Sequence, residues 1–187
     1  SYWEYNDVRI NQLALALLHL FRQPLQDVMR DELLHPLGAQ DEFRWQGYDD
    51  AWVTLDGRDL PTVPGGTHWG GGISISARDQ ARLGQLLLDD GMHQGQALLP
   101  PGWVRQMATP CTIAPFYGWL VWLNPEGRLF RGASPQALFM QGAGGHMVWV
   151  DPGLKAVVVT RWLDPAVHAD FIERMATALR SPGQTDD

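Results

Sequence analysis

A chain of 187 residues with 45% apolar side chains is long enough for one domain with a genuine core. A formal charge of −7, a pI near 5.2 and only 14 singly scattered Lys and Arg exclude a phosphate-tracking surface and so a nucleic-acid partner. No apolar run approaches the roughly 18–20 residues of a membrane span, and the single Cys111 excludes an internal disulfide framework or a cysteine-based zinc site.

The first predicted helix runs from about Val8 to Phe21, with Ile10, Ala14, Leu17, Leu18 and Phe21 at helical spacing and Asn6 or Asp7 as its cap. Its apolar stretch is broken by His19 and has no basic leader, so it does not read as a signal peptide. Pro24 opens a second short helix, Leu25 to Leu34, which stops before Pro36 and Gly38. From Gln40 to Gly72 periodicity is lost. This stretch reads as a long loop with one short strand near Ala51–Leu55. The rings of Trp45, Tyr48, Trp52 and Trp69 argue that it is ordered and forms an active-site wall.

A capping box at Ser76-Ala-Arg-Asp79 starts a helix to Asp90, ended by Gly91, and Pro100-Pro101 opens another through Met107. Beyond Pro115 the pattern turns β-rich, with strands expected at Tyr117–Leu123, Ala137–Gln141, Met147–Val150 and Ala156–Trp162. The last two form a hairpin across Asp151–Lys155, and a closing helix spans Pro165 to Arg180. The expected class is α+β: one domain, mainly helix and loop over 1–110, then an antiparallel sheet and a final helix over 111–187.

The inventory of reactive groups is short. None of the five serines lies in G-x-S-x-G or has lysine three residues later, and the one lysine, Lys155, falls in a hairpin turn. No H-E-x-x-H or carboxylate cluster has metal-ligand spacing, so neither metal nor cofactor is expected. Cys111 reads as a small packed side chain. Two stretches do suggest catalysis, of which Pro64-Gly-Gly-Thr-His-Trp-Gly-Gly-Gly72 is one, although no lysine follows its glycines to cradle a phosphate. Gln141-Gly-Ala-Gly-Gly145 links two strands with glycines that let backbone N–H groups approach a ligand, as an oxyanion site requires, although a flexible link would look the same. Tyr5-Asn6-Asp7 sets a phenol at a helix start, where packing is the plainer reading.

Taken together, "WEYNDVRINQLALALL", "GGTHWGGGISISARDQARLGQLLLDDGMHQGQALLPPGWVRQMATP", "YGWLVWLN" and "MQGAGGHMVWVDPGLKAVVVTRW" resemble the serine β-lactamase-like hydrolases. That superfamily includes class C β-lactamases, penicillin-binding proteins, family VIII esterases and 6-aminohexanoate-dimer hydrolases, and the last two are the nearer branch. The resemblance implies the C-terminal part of the β-lactamase/transpeptidase-like fold. It also implies that this chain is the C-terminal half of such an enzyme. The nucleophilic S-x-x-K motif would lie outside it, on an N-terminal half that is its partner, and the fragment alone would be inactive.

By the same resemblance, Tyr5-Asn6-Asp7 corresponds to the Y-x-N motif. Tyr5 would be the general acid/base, and Asp7, standing where the family has asparagine, would be either part of the proton relay or only the helix cap. Ala143 would give its N–H to the oxyanion hole. Trp69, Gln141, Gly142 and His146 would line the substrate cleft, packing being an equal reading for Trp69 and His146. Met140-Gln141-Gly142 matches the third motif but lacks its cation, which favours a small neutral ester or amide handled through an acyl-enzyme. The alternative is a non-catalytic domain that keeps the fold and binds a ligand or partner. A bacterial periplasm or cytoplasm is the compartment the family implies.

Overall fold

The computed structural model describes residues 2–40, 42–65 and 72–180, which divide into two compact units, 2–79 and 80–180. Helix α1, Asp7–Phe21, opens the first unit. Its cap is Asn6, whose side-chain oxygen accepts from the Arg9 N–H at 3.1 Å. Asp7 is therefore the first helical residue, where its carboxylate faces the positive end of the helix dipole. Arg22 closes α1 in the left-handed conformation, its N–H bonded to the Leu18 carbonyl at 2.8 Å. Pro24 starts α2, Leu25–Met29, which continues as one π-helical turn over Arg30–Leu34. Ala14, Leu18, Leu25 and Val63 make the buried core of this unit. Around the rest of α1, Val8, Leu13, Leu15, Leu20 and Phe21 remain exposed.

Removing the Asn6 oxygen orphans one of the four unpaired N–H groups at the start of α1. Asn6→Ala is therefore expected to lower stability by about 1 kcal/mol with no change in the denaturant slope, measured by urea unfolding.

The stretch expected as a long loop is more regular than its sequence suggested. Strands β2, Trp52–Leu55, and β3, Arg58–Pro61, form a hairpin in which Leu55 faces Arg58. The two linking residues, Asp56 and Gly57, have φ of 53° and 73°, the conformation of a type I′ turn. Strand β1, Arg44–Gln46, pairs antiparallel with β4, Gly72–Ser74. Trp45 fastens this region, its backbone N–H donating to Gln26 Oε1 at 2.8 Å and its indole N–H to the Pro64 carbonyl at 3.0 Å. Gly65 donates to Asn11 Oδ1 on α1 at 2.9 Å.

Helix α3, Ala77–Leu88, is capped as its sequence predicts: Ser76 Oγ accepts from the Asp79 N–H at 3.0 Å and bonds the Asp79 carboxylate at 3.1 Å. In the second unit, the small hairpin of β5, Met92–His93, and β6, Gln96–Ala97, precedes helix α4, Trp103–Met107. The main sheet follows as an antiparallel meander of β7, Trp122–Leu123; β8, Leu138–Gly142; β9, His146–Asp151; and β10, Ala156–Thr160, in the order β10-β9-β8-β7. Helix α5, His168–Arg180, closes the unit after one 3₁₀ turn.

The strand expected over Tyr117–Leu123 is reduced to its last two residues. Gly118 and Val121 close a tight turn at 2.9 Å and Leu120 takes φ 61°, so the chain doubles back there instead of extending.

Strand alternation buries both faces of the sheet. Phe139, Met147 and Trp149 pack with Ile172 and Ala176 of α5. Leu138, Val148 and Val150 pack with Leu87 and Leu88 of α3 and with Val104 and Met107 of α4. The result is a helix–sheet–helix sandwich. Two buried polar residues tie its loops down. Asn124 bonds the backbone of Leu129, Phe130 and Ser134 at 2.9–3.0 Å. Asp151 accepts from Ser134 N, Trp149 Nε1 and Leu154 N at 2.9–3.1 Å. Among the described residues no helix is long and apolar enough to cross a membrane.

Candidate active site

Strand β8 delivers Gln141 and Gly142 to the end of the sheet. Gly142 pairs with His146, so Ala143, Gly144 and Gly145 form a three-residue link into β9. Gly144 and Gly145 have φ of 79° and 72°, a left-handed pair that only glycine enters at low cost. Gly145 is buried with its Cα against the Leu163 carbonyl, whereas Gln141, Gly142 and Ala143 are exposed. The structure thus gathers Gln141, Gly142, Ala143 and His146 in one turn, anchored by the packing of Gly145. A fixed turn of exposed backbone is the geometry from which amide groups can stabilise a developing oxyanion.

His146 is held from two sides. Arg161 Nε donates to His146 Nδ1 at 3.1 Å, and Arg161 also donates to Gln80 Oε1 at 3.2 Å. A guanidinium cannot accept a proton, so Nδ1 is the acceptor and the imidazole is neutral with its hydrogen on Nε2. Desolvation, with the nearby Arg161 charge, holds the His146 pKa below the usual imidazole value. The unfolded chain therefore takes up this proton more readily than the folded one, so His146's contribution is present above the ordinary imidazole pKa and declines as pH falls below it. The Trp162 ring meets His146 edge-on, with centroids 4.5 Å apart.

Tyr5 and Asp7 lie together at the start of α1 in the first unit, Tyr5 exposed and Asp7 half-buried. Near this helix, Asn11, Leu15, Tyr48, Trp52 and Pro64 line a cavity of about 270 Å³. Trp69 lies outside the described residues. Met140, at the third-motif position, pairs with Val148 and packs partly buried against the apolar cluster on that face. Sequence reasoning missed Arg161 and Trp162. They lie 15 and 16 positions beyond His146 and reach it only through the β9–β10 hairpin. No group of His, Cys, Asp and Glu among the described residues has the arrangement of a metal site.

Residues 1–168 match the Beta-lactamase family. A 6-aminohexanoate-dimer hydrolase from Paenarthrobacter ureafaciens is 29% identical over 135 residues, covering 61% of this chain and 32% of the relative. A solved structure of a candidate 6-aminohexanoate-dimer hydrolase from Bacillus anthracis superposes with a TM-score of 0.71 at 20% identity, over 98% of this chain and 46% of that one. A candidate β-lactamase from Bacteroides dorei DSM 17855 gives 0.67 at 13% identity, over 97% of this chain and 59% of that one. The chain thus spans less than two thirds of each of these relatives. Matched over most of its length and sharing their mixed helix and antiparallel-sheet fold, the chain belongs to the β-lactamase-like hydrolase family.

Proposed function

We propose that this chain contributes the proton-transfer and oxyanion parts of a serine hydrolase that cleaves a small ester or amide through an acyl-enzyme. The reading is carried by the Ala143-Gly144-Gly145 turn, in which exposed Ala143 precedes a left-handed glycine pair anchored at buried Gly145, at the end of a central strand. In this reading the Ala143 N–H binds the oxyanion, Tyr5 relays the proton, and Asp7 biases the charge beside it. Gln141, Gly142 and His146 border the acyl group. The serine and lysine of S-x-x-K come from sequence outside these 187 residues. Support for such an added segment comes from the exposed apolar side chains Val8, Leu13, Leu15, Leu20 and Phe21 on α1, which a soluble fold would normally cover.

A neutral substrate is favoured because the strand offers the thioether of Met140 and the amide of Gln141 where a carboxylate would need a cation. Bringing an unpaired carboxylate into a partly desolvated cleft costs several kcal/mol. Arg161 favours a second reading, in which its guanidinium beside His146 meets an anionic group on the substrate. The full-length hydrolase is expected to prefer p-nitrophenyl butyrate over nitrocefin by at least about two orders of magnitude in kcat/KM, roughly 2.7 kcal/mol. Comparable nitrocefin turnover would establish the second reading, and loss of that turnover in Arg161→Met would assign the charge. Failure to hydrolyse either compound, with no labelling by a fluorophosphonate probe, would favour a non-catalytic binding domain.

A further inference from the structure

We propose that Trp162 is a specificity-determining wall beside the Gly142–Gly145 turn, selecting a substrate whose acyl group is apolar and uncharged. The inference rests on the acyl-transfer reading of that turn and names what the turn receives.

Trp162 combines three features that rarely occur together. It is 78% exposed, more than any other large apolar side chain near the sheet. Its φ is 57°, a left-handed backbone that a bulky residue enters only when its surroundings enforce it. Its ring also lies against the turn: a Cβ added to Gly144 would come within 2.8 Å of Trp162 Cζ3. An indole that served only as a buttress would be covered. This one touches the turn and His146 along one side and presents the rest of its surface outward.

The ring is also held in place. His146 meets it at an interplanar angle of 69°, and His146 is itself fixed by Arg161, which is tied to Gln80 on α3. An exposed aromatic surface on a fixed support loses little freedom when a ligand covers it. Its charge preference follows from its neighbours. The electron-rich face of the indole disfavours a carboxylate, while the Arg161 guanidinium, already bonded to His146 and Gln80, disfavours an ammonium group. An alkyl or aryl chain meets neither objection and gains by burial.

The test uses the full-length hydrolase with p-nitrophenyl acetate, butyrate and hexanoate. Trp162→Ala is expected to lower kcat/KM for the hexanoate by about tenfold or more while changing that for the acetate less than about threefold, and Trp162→Phe is expected to keep most of the chain-length preference. An equal loss on all three esters would make Trp162 a structural brace, and no loss would remove it from the site. Faster turnover of p-nitrophenyl 6-aminohexanoate than of the hexanoate would overturn the uncharged class. If the wild type hydrolyses none of the esters, the acyl-transfer reading fails separately. Trp162 is then judged by its indole ¹⁵N–¹H signal, assigned by difference from Trp162→Phe and titrated with butyranilide. A shift of that signal supports the wall, and a signal that does not move overturns it.

Discussion

Tyr5→Phe in the full-length hydrolase is expected to lower kcat by about 10²- to 10⁴-fold, the range lost when a positioned general acid/base is removed. Tyr5 precedes the Asn6 cap of α1 and is 54% exposed, so deleting its hydroxyl creates no cavity. Stability is accordingly expected to change by less than about 0.5 kcal/mol, the usual range for a surface substitution. A phenol titrates near about 10, so transfer at neutral pH requires a neighbouring cation, a role the lysine of S-x-x-K would fill. The two measurements separate the possibilities. A large fall in kcat with an unchanged urea midpoint assigns chemistry to Tyr5. A joint fall in both assigns packing, and retained activity removes Tyr5 from the proton relay.

The elements carrying this geometry were legible to different degrees. Helices α1, α3 and α5 announced themselves through 3.6-residue spacing and capping residues, because those signals are local. The strands over Ala137–Gln141, Met147–Val150 and Ala156–Trp162 were found to within one or two residues, for the same reason. Of the β2–β3 hairpin only the first strand was expected, near Ala51–Leu55; its partner β3 was missed although Asp56-Gly57, the turn pair that favours positive φ, stood between them. Its strands are short and its apolar residues few, so the surrounding glycines and prolines outweighed the turn. The Tyr117–Leu123 error has the opposite cause: alternating aromatics suggested a strand, but a tight turn at Gly118 won.

The site was legible only as far as it is contiguous in sequence. Gln141 to His146 form one motif and one turn. Arg161 and Trp162 belong beside them only because β10 pairs with β9 in a register that sets Thr160 opposite Met147. The hairpin itself was expected, but its register, fixed by where the Asp151–Lys155 turn closes, has to be known to the residue before Arg161 and Trp162 can be set beside His146. The charge beside the turn therefore entered with the structure, and with it the reading in which Arg161 meets an anionic substrate.

Gly145→Ala is expected to be among the most damaging single substitutions in the second unit. An added Cβ would lie 1.7 Å from the Leu163 carbonyl oxygen and 2.7 Å from its carbon. Both are backbone atoms, so no side-chain rotation relieves the overlap. Either the turn or the 161–163 segment must move. The φ of 72° adds its own cost, since a left-handed conformation disfavours any residue with a Cβ by about 1–2 kcal/mol. Overpacking at a tight site adds about 1–3 kcal/mol. A total loss of about 2–5 kcal/mol follows. The same movement displaces the Ala143 amide from the place where an oxyanion would sit, and a shift on the order of 1 Å costs about 10²-fold in rate. The control is Ala143→Gly, which alters the residue proposed to bind the oxyanion but keeps its N–H and adds no atom. It is expected to keep activity within about tenfold, because the backbone donor survives. Thermal unfolding and ester turnover of both variants decide the matter. A Gly145→Ala enzyme that melts like the wild type and keeps its rate would mean that the turn does not depend on this close approach, and the oxyanion assignment to Ala143 would fall with it.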